Sequence, residues 1–135
     1  MTSEERQHFM SQEYRRIFGG EPVVWARAPG RVDLMGSHTD YNEGHVLTMS
    51  VDRDTWLAVR PRTDGRVAIA SLDLPGEAEF SLSDIERDAR APWTDYVRGA
   101  ASVLVAEGRD LVGFDGLVQS SVPFGAGLSS SAAIE

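Results

Sequence analysis

The chain has 135 residues, with 13 Lys+Arg against 21 Asp+Glu and a formal net charge of −8. Hydrophobic residues make up 41% and charged residues 25%, which excludes intrinsic disorder and suits one ordinary domain with a real core. Cysteine is absent, excluding disulfides and thiolate metal sites, and the acidic balance argues against a nucleic-acid binder. No apolar run is long enough for a membrane-spanning helix, and the polar start MTSEERQHF is no secretory signal. These features agree with a cytoplasmic protein that has neither nucleic-acid nor membrane partners. They leave room for a phosphate site, because backbone N–H groups can hold phosphate without side-chain charge.

Residues 2–18 read as an amphipathic helix. Thr2 and Glu5 have the spacing of a capping box, and Met10, Tyr14, Ile17 and Phe18 share one face. Gly19-Gly20 ends it. Residues 22–34 look extended, with a turn at Pro29-Gly30. Residues 36–44, GSHTDYNEG, read as a polar surface loop. Residues 45–60 read as two strands joined around Asp52-Arg53-Asp54, and His45 as a structural residue at their start. Thr63-Asp64-Gly65 carries a hairpin signal.

Residues 66–72 alternate as a third strand, with Val67 and Ile69 on one face, and 77–82 form a weaker one. Residues 93–107 read as a helix with the apolar stripe Tyr96, Val97, Ala100, Ala101 and Leu104, stopped at Gly108. Residues 114–122 suggest another strand, and a last helix is expected from Leu128. That helix is cut after about two turns. The chain is therefore expected to be a piece of a longer protein, or the product of a gene that lost its tail. The fold class this order supports is mixed α/β, or α+β, with a mixed or antiparallel sheet.

Two segments carry chemistry. Val122 to Ala133, VPFGAGLSSSAA, reads as strand, glycine turn and helix start. Gly125 and Gly127 allow positive φ and close approach to an anion, and three serines supply hydroxyls for phosphate or Mg²⁺. The segment is neither a Walker A loop nor G-x-G-x-x-G. From spacing alone, a plain turn with an N-cap fits as well as a phosphate cradle. Ala28 to Gly44, APGRVDLMGSHTDYNEG, gathers Arg31, His38, Asp40, Tyr41 and Asn42. Such groups suit hydroxyl recognition, and Arg31 suits charge on a transferring phosphoryl group. Taken alone, a polar loop with an Asx-turn fits better.

Together the two segments resemble galactokinases, within the GHMP small-molecule kinase superfamily. APGRVDLMGSHTDYNEGHVL looks like the galactokinase signature, and PFGAGLSSSAAIE looks like the superfamily's phosphate-binding loop. The resemblance runs from about residue 22 to the end. It implies the GHMP-kinase N-terminal domain, related to the ribosomal protein S5 domain 2-like fold, over residues 1–135. The signature then occupies 28–44 and the ATP-phosphate loop 123–135, with the C-terminal part absent.

The resemblance further implies ATP-dependent phosphorylation of the anomeric hydroxyl of galactose, with Mg²⁺. Arg31 matches the arginine that stabilises the transition state. Ser37, His38, Thr39 and Asp40 occupy the sugar-binding tetrapeptide. Gly125, Ala126, Gly127, Leu128, Ser129, Ser130 and Ser131 match the ATP-phosphate loop, with Ser131 as the Mg²⁺ ligand. Ser71 sits where some members contact nucleotide.

Two positions depart from the family pattern. Ser37 stands where glutamate is usual, which removes a charge-assisted hydrogen bond worth about 1.5–3 kcal/mol. Asp33 stands where asparagine is usual, and solvation is expected there in preference to a pair with Arg31. The family's catalytic aspartate and a Mg²⁺-binding glutamate come from beyond the glycine loop. The 135 residues alone are therefore expected to be inactive. Two alternatives stay open: a kinase for a related sugar (arabinose, galacturonate or N-acetylgalactosamine), or a sugar and ATP sensor without turnover. Trp25, Trp56 and Trp93 read as packing residues, one of which could border the adenine pocket. His8 reads as solvated, and Arg87 and Arg90 as too interleaved with acid for a nucleic-acid patch.

Overall fold

The computed structural model describes residues 1–125 and 127–135. Helix α1 spans Ser3–Phe18. Thr2 caps it as the spacing predicts: its hydroxyl accepts from the Glu5 amide at 3.2 Å, and the Glu5 carboxylate accepts from the Thr2 amide at 2.6 Å. Gly19 closes the helix in the left-handed conformation, φ 70°.

Five strands follow: β1 (Val24–Met35), β2 (Leu47–Arg62), β3 (Arg66–Ser71), β4 (Ala78–Ser81) and β5 (Gly113–Ser120). Helix α2 (Thr94–Ala106) lies between β4 and β5, and the short α3 (Ser130–Ile134) comes last. The sheet order is β1-β2-β5-β3-β4. β3 and β5 run parallel and every other pair is antiparallel. A parallel pair needs a crossover, which the chain through β4 and α2 supplies.

Three local expectations are corrected. Pro29-Gly30 makes no turn: β1 runs through it, and the pairing with β2 shifts register between Pro29 and Arg31. The two strands expected over 45–60 are one long strand, Leu47–Arg62, with Asp52 to Asp54 inside it. Thr63 to Gly65 does turn the chain, with Gly65 at φ 67°, but it joins no hairpin. β5 inserts between β2 and β3, so the strands flanking that turn are not paired. Short-range turn chemistry cannot foresee a strand arriving from far downstream.

Successive strand residues point to opposite faces, and the sheet uses both. On one face Met10 and Tyr14 of α1 pack on Ala58, Ala70 and Leu117. The small alanines let the helix sit close. On the other face Val67, Ile69, Phe80 and Val118 meet Trp93 and Ala101 of the α2 region. The predicted stripe on α2 is only partly covered: Ala101 is buried, Val97 packs on the core, and Tyr96 and Leu104 are exposed.

Candidate functional site

Both chemical segments leave the sheet near the same place. β1 and β2 pair in register from Val24–Val59 to Pro29–Asp54, then resume at Arg31–Ser50. β5 ends at Ser120, opposite Thr55. Beyond that level β1 and β2 continue as a two-stranded ribbon that carries the 36–44 loop.

The loop is held by its own hydrogen bonds. Gly36 sits at φ 84°, and a Cβ there would lie 2.4 Å from the His45 carbonyl oxygen. Only glycine fits. The Thr39 hydroxyl lies 2.6 Å from the Gly36 oxygen and 2.8 Å from the His45 oxygen, and the Gly44 amide donates to the Thr39 oxygen at 2.7 Å. Thr39 thus staples the loop shut. His38 is in the left-handed region, φ 69°, an uncommon place for a side chain. Asn42 Nδ2 holds its carbonyl at 2.9 Å, and the Tyr41 hydroxyl meets its ring Nδ1 at 2.7 Å. Ser37, His38 and Asp40 are exposed.

Gly125 and Gly127 both have φ 71°, with open space where a Cβ would stand. These glycines are required by backbone conformation and not by crowding. Ser129 is also left-handed, φ 56°, and its hydroxyl does not cap α3. Ala126 lies outside the described residues. The expected helix start at Leu128 is moved to Ser130, because left-handed Ser129 cannot belong to a right-handed helix; the Leu128 carbonyl instead accepts from the Arg31 amide at 3.1 Å. A Cβ on Gly30 would lie 2.9 Å from that same carbonyl oxygen. The two segments, far apart in sequence, therefore touch backbone to backbone.

A cavity of about 310 Å³ opens beside the glycine loop. Ser71, Gly125, Ser130 and Ser131 line it, with Trp93, Tyr96 and Phe124 as aromatic walls. Ser71 Oγ accepts from the Asp73 and Leu74 amides at 3.1 and 3.2 Å, which leaves its proton free to donate. Trp93 is both a core residue and a cavity wall, its Nε1 donating to the Pro75 oxygen at 3.2 Å. Trp25 and Trp56 pack edge to face at 6.0 Å on the opposite sheet face, away from this cavity.

The cavity thus unites Ser71, Gly125, Ser130 and Ser131. Arg31 is tied to the loop through Leu128, and Ser37 to Asp40 stand out on the ribbon. The Arg31 side chain is half exposed, with Nε 3.7 Å from Asp33 Oδ1. The solvation expected for Asp33 is corrected: Oδ1 is buried, has no hydrogen bond and has Arg31 as its ionic neighbour.

A phosphate chain fits this loop: two positive-φ glycines keep the backbone open, and Ser130 and Ser131 line the adjoining space. For Mg²⁺ the Ser131 hydroxyl would offer one oxygen. Among the described residues no group of three His, Asp or Glu could hold a metal. Mg²⁺ characteristically takes few protein ligands, with phosphate oxygens and water completing its octahedron.

Sequence reading missed a second polar cluster. Asp54, buried in β2, binds Arg6 of α1 through Nη1 at 2.5 Å and Arg27 of β1 through Nε. Burial pushes the Asp54 carboxyl up, but the two guanidinium groups outweigh it and hold it below the usual carboxylate range. A signal was present: Arg6 is four residues before Met10 and eight before Tyr14, on the apolar face of α1. An arginine there needs a buried acid.

Residues 12–61 match the galactokinase galactose-binding signature. Over 122 residues the chain is 48% identical to a galactokinase of Chloroflexus aurantiacus, covering 90% of this chain and 31% of that protein. Over 129 residues it is 42% identical to human galactokinase, covering 90% and 32%. The chain spans about a third of the length of the curated relatives it matches. The crystal structure of Lactococcus lactis galactokinase complexed with galactose superposes with a TM-score of 0.83 at 33% identity, over 95% of this chain and 34% of that one. Methanococcus jannaschii mevalonate kinase, at 21% identity and a TM-score of 0.66 over 85% of this chain and 37% of its own, shares the fold. In sequence and in fold, the chain matches the N-terminal portion of the galactokinases.

Proposed function

We propose that the chain supplies the sugar loop and the ATP-phosphate loop of a kinase converting galactose and ATP into galactose 1-phosphate and ADP. One observation carries this reading most directly: the Arg31 amide bonds to the Leu128 carbonyl, which brings the signature strand against the glycine loop. In this reading residues 28–44 hold the sugar and 123–135 hold the nucleotide phosphates. Asp40 and His38 accept and donate to sugar hydroxyls, helped by Ser37, while Thr39 keeps the loop in shape. Backbone amides of Gly125, Gly127, Leu128 and Ser129 and the hydroxyls of Ser130 and Ser131 are assigned to the phosphates. Ser71 donates into the same cavity.

ATP, with Mg²⁺ on Ser131, provides the phosphoryl group. The Arg31 backbone lies against the loop, and in this reading its guanidinium neutralises charge that grows on the transferring group. ATP consumption of this kind belongs in the cytoplasm, where we place the protein. The 135 residues by themselves would bind without transferring, since they correspond to a third of the relatives' length and phosphoryl transfer also needs an activated hydroxyl.

The test is binding by this chain, followed by amide NMR. Galactose should shift residues 36–44, and Mg·ATP should shift 124–131. Asp40→Ala should weaken galactose binding at least about tenfold, the cost of one charge-assisted hydrogen bond. Galactose shifts that fall outside the loop, or an unchanged affinity in that variant, would refute the assignment. A second reading is favoured by Ser37, a short neutral side chain on the exposed rim. It keeps the reaction type and changes the sugar, to arabinose, galacturonate or N-acetylgalactosamine. A titration panel of these sugars decides between the two. A sensor without turnover would bind both ligands, and the full-length protein would then show no transfer.

A further inference from the structure

We infer that Asp54, clamped by Arg6, is a positioning residue that sets the glycine loop against the Arg31 strand. This rests on the proposed function, in which those two segments form one phosphoryl-transfer site. Asp54 stands where β2 leaves the five-stranded sheet. Its neighbour on β1 is Pro29, the last paired residue before Gly30 and Arg31. Its neighbour on the other side is Ser121, the last residue before the turn that begins at Val122.

Asp54 grips Ser121 by backbone and side chain. The Ser121 amide donates to the Asp54 carbonyl at 2.8 Å, and the Asp54 amide donates to Ser121 Oγ at 3.0 Å. Ser121 Oγ also lies 3.4 Å from Asp54 Oδ1. Arg6 ties the same strand end to α1. Its Nη2 donates to the Gln119 carbonyl at 2.8 Å, its Nε to the Gln119 side chain, and its Nη1 to Asp54. Asp73 adds a third hold, its carboxylate accepting from the Ser120 amide at 2.6 Å. Residues 119, 120 and 121 are thus each fixed from a different element, at the point where β5 releases the loop. A hydrophobic cluster would hold the strand as firmly but would not specify direction. An arginine forked between Gln119 and a carboxylate does both.

The test is residue-resolved hydrogen exchange on the 135-residue chain and on three variants: Asp54→Asn, Arg6→Lys and the milder Ser121→Ala. If Asp54 positions the loop, Asp54→Asn should speed exchange of the Ser121 and Arg31 amides by about tenfold or more, the loss expected when a buried partner is removed. Amides of β4, on the far edge of the sheet, should keep their protection. Arg6→Lys retains the charge and loses the fork, so it should fall between the parent and Asp54→Asn. Uniform acceleration across the sheet in all three variants would show a purely stabilising cluster and overturn the inference, as would no change at Ser121 and Arg31. Should Asp54→Asn not fold, Ser121→Ala and Arg6→Lys distinguish local from uniform acceleration in the same way. Mg·ATP titration of the unsubstituted chain separates the failures. If it binds no nucleotide, the kinase reading fails whatever exchange shows. If it binds, Asp54→Asn should weaken that binding while the 36–44 amides keep their galactose response.

Discussion

At the residue scale, Gly36 shows how a single backbone demand shapes the sugar loop. A side chain there would meet the His45 carbonyl oxygen at 2.4 Å, and its φ of 84° is strained for any L-residue. Gly36→Ala should therefore cost about 1–3 kcal/mol, spent locally. Faster exchange of the Thr39 and Gly44 amides with unchanged sheet amides would confirm it. Tyr14 makes a different kind of prediction. It is fully buried and donates to the Asp115 carbonyl at 2.9 Å. Burial, with the Asp115 charge, pushes its hydroxyl up to about 12 from an ordinary 10. The native state then keeps its proton after the unfolded state has lost it. Stability from this source is complete below pH 10 and is lost as pH rises toward 12. Denaturant titrations should show that decline, and Tyr14→Phe should flatten it.

At the element scale, the decisive event is the insertion of β5 between β2 and β3. Gly113 opens that strand under Arg66, and a Cβ would lie 2.2 Å from the Arg66 carbonyl oxygen and 2.6 Å from its nitrogen. Both are backbone atoms that cannot swing aside. Gly113→Ala should cost about 1–3 kcal/mol by overpacking, read as a lower denaturation midpoint. An unchanged midpoint would mean the strand ends splay freely. The elements themselves are largely legible in sequence. The Thr2–Glu5 box, the Met10–Tyr14 face and the Val67–Ile69 alternation each state a local preference, and each is met. The hairpin expected at Thr63 to Gly65 does not form because a turn signal fixes a reversal and says nothing about which strand will pair. The division of β2 fails for a related reason: Asp52-Arg53-Asp54 looks like a connector until Arg6 and Arg27 arrive to neutralise Asp54.

At the scale of the whole molecule, apolar surface remains open along α2 and the β1–β2 ribbon. A groove of about 490 Å³ runs between Val97, Leu104, Leu111 and Phe114. Leu34, Met35, Leu47 and Met49 are exposed on the ribbon. Patches of this kind are uncommon on self-contained monomers. The chain should therefore enhance the fluorescence of an apolar dye such as ANS while keeping native near-ultraviolet circular dichroism. A dye response no greater than that of a closed globular domain would contradict the open groove. The sequence alone determined the elements with strong local patterns and the two chemical segments, because helix caps, alternation and glycine turns act over a few residues. Tertiary structure alone decided the rest: the strand order, the contact of Arg31 with Leu128, the cavity shared by Ser71 and Ser131, and the burial of Asp54 between two arginines. Each of these depends on groups far apart in the chain, and their meeting is set by packing on both faces of one sheet, which no local preference encodes.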